Sequence, residues 1–127
     1  VKLLLDTHAL LWFQAGDRRL SKAARQAIEA SDAELLISAA TVWEMAIKVS
    51  LGRLQLSGPV DAYIAEKIGQ GYRMLSVSWA HAARVEGLPW HHRDPFDRLL
   101  VAQSLAERCP VITRDRAFRK YGVEVVW

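Results

Sequence analysis

Apolar residues follow two rhythms along the chain. Short unbroken runs bounded by polar or turn-forming residues predict buried strands, and they cover Lys2–Asp6, Leu35–Ser38, Met74–Val77, Pro110–Thr113 and Val123–Val126. Helical spacing fills the intervals. Thr7 to Ala15 is rich in helix formers and stops at Gly16-Asp17. Ser21 is placed to cap a helix from Lys22 to Ala30, where Ala24, Ala27 and Ile28 share a face. A third helix runs from Thr41 to Leu51 and is closed by Gly52. Pro59 suits the first turn of a fourth, with Val60, Ile64 and Ile68 on one face. Ala80 to Glu86 predicts a short helix ended by Gly87, and Asp94-Pro95 opens one that reaches about Arg108. Buried strands alternating with helices predict an α/β domain built on a mainly parallel sheet. In such folds the functional crevice lies beyond the carboxyl ends of the strands.

A chain of 127 residues is expected to form one domain over 1–127. Its 51% hydrophobic and 24% charged residues argue against a disordered chain. There are no repeats, low-complexity tracts or linker-like stretches. The single cysteine, Cys109, excludes an internal disulfide, fits a reducing cytoplasm and is expected to be a small buried hydrophobe. No apolar run approaches the roughly 18 residues of a membrane span, and Asp6 interrupts the only early apolar stretch, so neither a membrane partner nor a signal peptide is expected. The chain starts at Val1, and an initiator methionine is expected before it.

Charge changes the picture more than the net +3 suggests. Arginine supplies twelve of the seventeen bases, and seven bases crowd one stretch, from Arg93 to Lys120. That stretch is either a solvated basic surface or a seat for a polyanion, for which guanidinium is the better fork. The acids are placed differently. Asp6 closes the first strand, Asp115 follows the fourth, Glu44 falls in the first turn of the helix after the second, and Asp94 and Asp97 begin the helix that feeds the fourth. Setting these five aside leaves nine acids against seventeen bases. An acidic pocket in a basic surround suits metal-dependent chemistry on a polyanion.

Each acid also has a plainer explanation. Glu44 stands three residues after Thr41, as in a capping box, and four before Lys48, as in a helix-surface ion pair. Asp94 before Pro95 reads first as an N-cap, Asp97 gains from the helix dipole, and Asp115 can be a turn residue. Yet Asp97 shares a helical stripe with Val101 and Leu105, so its carboxylate points along an apolar face. Asp6 is harder still to dismiss, because an aspartate directly after Leu3-Leu4-Leu5 in a buried sheet is costly without compensation. Converging carboxylates raise one another's pKa values or take up a cation. Oxygen-only ligands select Mg²⁺ or Mn²⁺, which activate water and screen a phosphoryl group. Competing chemistries fail: the turn after the first strand, Asp6-Thr7-His8-Ala9, has no glycine-rich phosphate loop and no second aspartate two residues on, and Ser76-Val77-Ser78 offers no phosphate-accepting aspartate.

Four segments resemble the PIN-domain nucleases, specifically the VapC-type toxins of bacterial type II toxin–antitoxin systems. They are Leu4-Leu5-Asp6-Thr7-His8-Ala9-Leu10-Leu11-Trp12, Ser38-Ala39-Ala40-Thr41-Val42-Trp43-Glu44, His91-His92-Arg93-Asp94-Pro95-Phe96-Asp97-Arg98-Leu99-Leu100 and Thr113-Arg114-Asp115. The ending from Tyr121-Gly122-Val123 to Trp127 is similar to that of one PIN subgroup. The resemblance implies a parallel five-stranded sheet between helices and Mg²⁺-dependent endonucleolytic cleavage of RNA, with Mn²⁺ as a substitute. It implies that Asp6, Asp97 and Asp115 are the metal ligands and that Glu44 binds a second metal or holds the attacking water. Asp94, Thr7 and Thr113 would support those ligands from behind, and Arg93, Arg98, Arg114 and Arg116 would grip RNA phosphates or form structural ion pairs. A cognate antitoxin and a second copy of the chain are the implied partners. His91 and His92, without cysteine partners, suggest hydrogen bonding or substrate contact rather than zinc. His8, Trp12 and Trp43 are expected to pack in the interior. A non-catalytic PIN-fold module that binds RNA or protein, or a DNA nuclease, are the competing readings.

Overall fold

The computed structural model describes all of residues 1–127. Five strands, β1 (Lys2–Leu5), β2 (Glu34–Ser38), β3 (Arg73–Leu75), β4 (Val111–Ile112) and β5 (Val125–Val126), form one sheet in the order β3-β2-β1-β4-β5. Every pairing is parallel. The helices are α1 (Thr7–Ala15), α2 (Lys22–Glu29), α3 (Ala39–Ser50), α4 (Val60–Gly69), α5 (Trp79–Arg84) and α6 (Pro95–Glu107), with 3-10 turns at Val85–Gly87 and Arg116–Tyr121. The expected α/β class and five-stranded parallel sheet are therefore present.

Strand alternation divides the core between two faces. Leu3 and Leu5 of the central strand pack with Leu10 of α1, Ile28 of α2, Met45 of α3 and Ile64 of α4. Leu4, between them, points the other way and packs with Leu100 and Val101 of α6 and with Phe118. Cys109 lies buried in that second cluster, as expected. No helix is long and apolar enough to cross a membrane.

Caps set several boundaries. Ser21 accepts a hydrogen bond from Ala24 N (3.0 Å), Gly16 closes α1 at φ 65°, and Asp94 with Pro95 starts α6. Helix α3 departs from expectation. Its cap is Ser38, whose Oγ accepts from Ala40 N at 3.0 Å, so it begins two residues before Thr41. The capping box is thereby excluded: Thr41 Oγ1 is buried without a partner and Glu44 stands in the second turn. Strand β3 ends at Leu75, opposite Ser38, where its partner β2 gives way to α3, and the Ser76 carbonyl beyond it accepts from Gln103 Nε2 at 3.3 Å. In α4 Ile68 is half exposed, whereas Lys67 is buried, its ammonium held by Gln14 Oε1 (2.9 Å) and Glu66 Oε1 (2.8 Å) over the Tyr63 ring. The long Lys67 stem covers apolar surface that Ile68, one residue further round, cannot reach. Trp43 is also not a core residue: it is largely exposed and meets Phe96 edge-on at 5.1 Å, while Trp12 is half-buried.

Candidate metal centre

The strand order reverses direction at the β1–β4 boundary, because the chain leaves β1 toward β2 and returns to add β4 on the other side. Connections diverge at such a point and leave a crevice at the carboxyl ends of the strands. Asp6 directly follows β1, is buried, and caps α1 by accepting from Ala9 N at 2.8 Å. Asp115 follows β4 and caps the 3-10 turn through Ala117 N (2.9 Å). Thr113, fully buried, sits beside both acids: its hydroxyl oxygen accepts from Asp115 N at 3.0 Å, and its side chain acts to lower the Asp6 pKa. Asp97 comes from the first turn of α6, where Asp94 accepts from Phe96 N (2.8 Å) and Asp97 N (3.2 Å). Glu44 reaches in from α3, with Thr7 Oγ1 donating to Oε1 and Lys48 Nζ 2.9 Å from Oε2. The helix-surface ion pair expected for Glu44 therefore forms, inside the crevice rather than away from it.

All five acids, with Thr7, His8, Trp12, Lys48, His92 and Arg114, line a single cleft of about 360 Å³. Within it five carboxylates face one lysine and one arginine. Burial raises the Asp6 carboxyl, against the pull of the Thr113 hydroxyl and the Ala9 N–H, and Glu44 adds to the rise. Burial likewise pushes Asp97 up to about 7, helped by the charges of Asp94, Asp6 and Glu44 and opposed by His92. Desolvated like charges are driven toward the neutral form unless a cation joins them.

His92 takes the hydrogen-bonding role expected of it and organises this group through partners the sequence did not reveal. Its backbone N–H donates to Tyr121 Oη (2.9 Å), and its Nδ1 accepts from Asp94 N (3.0 Å). With Nδ1 used as an acceptor, the ring proton sits on Nε2. Nε2 lies 2.5 Å from Asp115 Oδ2 and 3.2 Å from Asp97 Oδ2, so one donor spans two carboxylates. Ligand atoms of these three side chains lie within 4.8 Å of one another, which is coordination range. Both imidazole nitrogens are committed, leaving carboxylate oxygens as the donors. An oxygen-only set with surplus negative charge fits a hard divalent cation such as Mg²⁺ or Mn²⁺.

The surrounding bases divide. Arg114 is exposed and lines the cleft; Arg93 and Arg116 are exposed outside it. Arg98 does not fit the expected phosphate contact. It is buried, donates to the carbonyls of Pro89 (2.9 Å), Val85 (3.2 Å) and Leu88 (3.3 Å), and stacks on Trp90 at 3.8 Å. One residue further along a helix turns the side chain by about 100°, so Asp97 faces the crevice while Arg98 ties down the loop before α6. His8 is exposed rather than packed, lines the cleft and stacks on Trp12 at 5.4 Å.

A PIN-domain family model matches residues 3–124. The chain is 34% identical over 120 residues to Ribonuclease VapC22 of Mycobacterium tuberculosis, covering 94% of this chain and 91% of that protein. Its fold is similar to a chain of VapBC2 from Rickettsia felis, solved bound to a DNA fragment from its promoter (TM-score 0.72, 12% identity, 98% of this chain and 97% of that one). It is also similar to a chain of FitAcB from Neisseria gonorrhoeae (TM-score 0.65, 22% identity, 97% and 95%). A third likeness is to a chain of DNA-bound VapBC from Salmonella typhimurium (TM-score 0.64, 17% identity, 98% and 96%).

Proposed function

The chain belongs to the PIN-domain family, and from that premise we propose that it is a Mg²⁺-dependent endoribonuclease, the toxin of a type II toxin–antitoxin pair. The observation that carries the reading is the convergence of Asp6, Glu44, Asp97 and Asp115, from four separate stretches of chain, on one cleft at the point where the strand order reverses. The relative named a ribonuclease supports RNA as the substrate, and neighbours solved as VapBC pairs support an antitoxin partner.

Asp6, Asp97 and Asp115 would hold the ion, with Mn²⁺ able to replace Mg²⁺. A bound divalent cation supplies an activated water and screens the charge of the scissile phosphate. The chain's own groups do the rest. Thr113 fixes Asp6 and Asp115 relative to each other, and His92 keeps Asp97 and Asp115 turned inward. Glu44, held from both sides by Thr7 and Lys48, has lone pairs left with which to orient the attacking water or to bind a second ion. Asp94 serves first as the cap of α6 and second as a charge behind Asp97. Because water attacks, the RNA 2′-hydroxyl is not needed as nucleophile, and preference for RNA comes from contacts around the cleft. Arg93, Arg114 and Arg116 are the phosphate contacts of this reading. One domain over 1–127, acting in the cytoplasm as a homodimer, completes it.

The test is incubation of total cellular RNA with the purified, antitoxin-free protein in Mg²⁺ and in EDTA. Discrete fragments in Mg²⁺ alone are expected. A folded, metal-loaded protein that binds RNA but cuts neither RNA nor single-stranded DNA would instead establish the non-catalytic binding module.

A further inference from the structure

A second concavity adjoins the acidic cleft. It measures about 290 Å³ and is lined by Thr113, Arg114, Arg116, Arg119, Val125 and Trp127. Arg114 lines both, so the two lie side by side. Arg116 and Arg119 come from the 3-10 turn, where residues three apart eclipse one another, and both guanidinium groups are exposed. No aspartate or glutamate lines the groove, and none of its three arginines joins a salt bridge to an acidic side chain. Three like charges gathered in a concavity repel one another, an arrangement that local stability does not favour and that an anion reverses. Val125 and Trp127 give the same groove an apolar wall, with the Trp127 ring 5.9 Å from that of Trp12.

We propose that this groove is a subsite for single-stranded polynucleotide, in which Arg114, Arg116 and Arg119 hold consecutive backbone phosphates beside the scissile bond and Trp127 stacks on a base. The inference rests on the nuclease reading of the adjoining cleft and gives it a direction: the strand leaves the carboxylates past Arg114 and runs along the 3-10 turn toward the C-terminal strand. An arginine track beside an aromatic face is the pairing that grips unpaired nucleic acid without reading sequence. An acidic peptide would use the arginines and leave the aromatic wall idle.

The experiment uses the full chain carrying Asp97→Asn, so that substrate survives, and a fluorescent single-stranded oligoribonucleotide. Binding is followed by anisotropy across a salt series. Adding Arg119→Ala is expected to weaken binding about tenfold and to reduce the slope of log affinity against log salt by about 0.7, one phosphate contact on a single strand. Arg119→Lys should restore the slope, and Trp127→Ala should weaken binding without changing it. Unchanged affinity and slope in Arg119→Ala would overturn the proposal, as would tighter binding of a polyglutamate peptide that displaces the RNA. Cleavage of total RNA by the parent in Mg²⁺ is scored separately. Parent cleavage with an inert Arg119 removes the groove and keeps the nuclease; the reverse result removes the nuclease and keeps the groove.

Discussion

Asp97→Asn should abolish cleavage and, in the absence of metal, make the protein more stable. In the unfolded chain this carboxyl titrates near 3.8, and in the folded one near 7, because it is buried against Asp94, Asp6 and Glu44. A folded pKa raised above the unfolded one means that the folded state is favoured with the proton on. That contribution is complete below about pH 4 and is lost as pH rises through about 7. A shift of roughly three units corresponds to about 4 kcal/mol at 1.36 kcal/mol per unit. The side chain is a quarter exposed and the repulsion is shared among several acids, so the recoverable part is about 2–4 kcal/mol. At about 3–5 °C per kcal/mol for a domain of this size, Tm at pH 8 in EDTA should rise by roughly 6–20 °C. Thermal unfolding of both proteins in EDTA at pH 8 and pH 5 provides the assay. The difference between them should be large at pH 8 and shrink markedly at pH 5. A variant less stable than the parent at pH 8, or a difference independent of pH, would refute the electrostatic reasoning.

The same imbalance makes divalent cations stabilising: Mg²⁺ or Mn²⁺ at a hundred times its dissociation constant should add about 2.7 kcal/mol to the parent and little to Asp97→Asn, read as a Tm shift reversed by EDTA. His92→Ala should weaken Mn²⁺ binding at least about tenfold by calorimetry with little change in Tm. His92→Gln, which keeps a donor near the Nε2 position, should recover part of that loss; equal affinity in all three proteins would remove His92 from the site. Arg98→Ala should cost about 2–4 kcal/mol in denaturant unfolding, since it strands the carbonyls of Val85, Leu88 and Pro89, and should leave the salt dependence of RNA binding unchanged.

What could be read from the sequence was local. Asp6 ends an apolar run, and Asp94-Pro95 is a self-contained helix start, so both were visible without knowing what packs nearby. Features decided by distant partners were not. Ser38 and Thr41 are both competent caps, and Ser38 prevails because its hydroxyl also donates to Gln103 of α6, which moves Glu44 into the second turn. His92 gains its role only when Tyr121, Asp94 and Asp115 surround it. Adjacency to Asp97 made Arg98 look like a substrate contact, whereas helix rotation sends it beneath a loop whose carbonyls carry no sequence signal. Trp12 and Trp43 invited a core reading because bulk suggests burial; packing left one half-exposed and the other largely exposed beside Phe96.

In the proposed mechanism the carboxylates gathered at the strand-order reversal hold the ion required for RNA cleavage. Its most direct test is one titration followed in two ways: Mn²⁺ is added to metal-free protein while calorimetry records binding and a quenched oligoribonucleotide spanning a mapped cut records cleavage. Binding and cleavage are expected to rise with a common midpoint and to disappear together in Asp97→Asn. Cleavage that persists in EDTA, or in the variant, or Mn²⁺ bound at Asp97 with no cleavage at saturation, would contradict it.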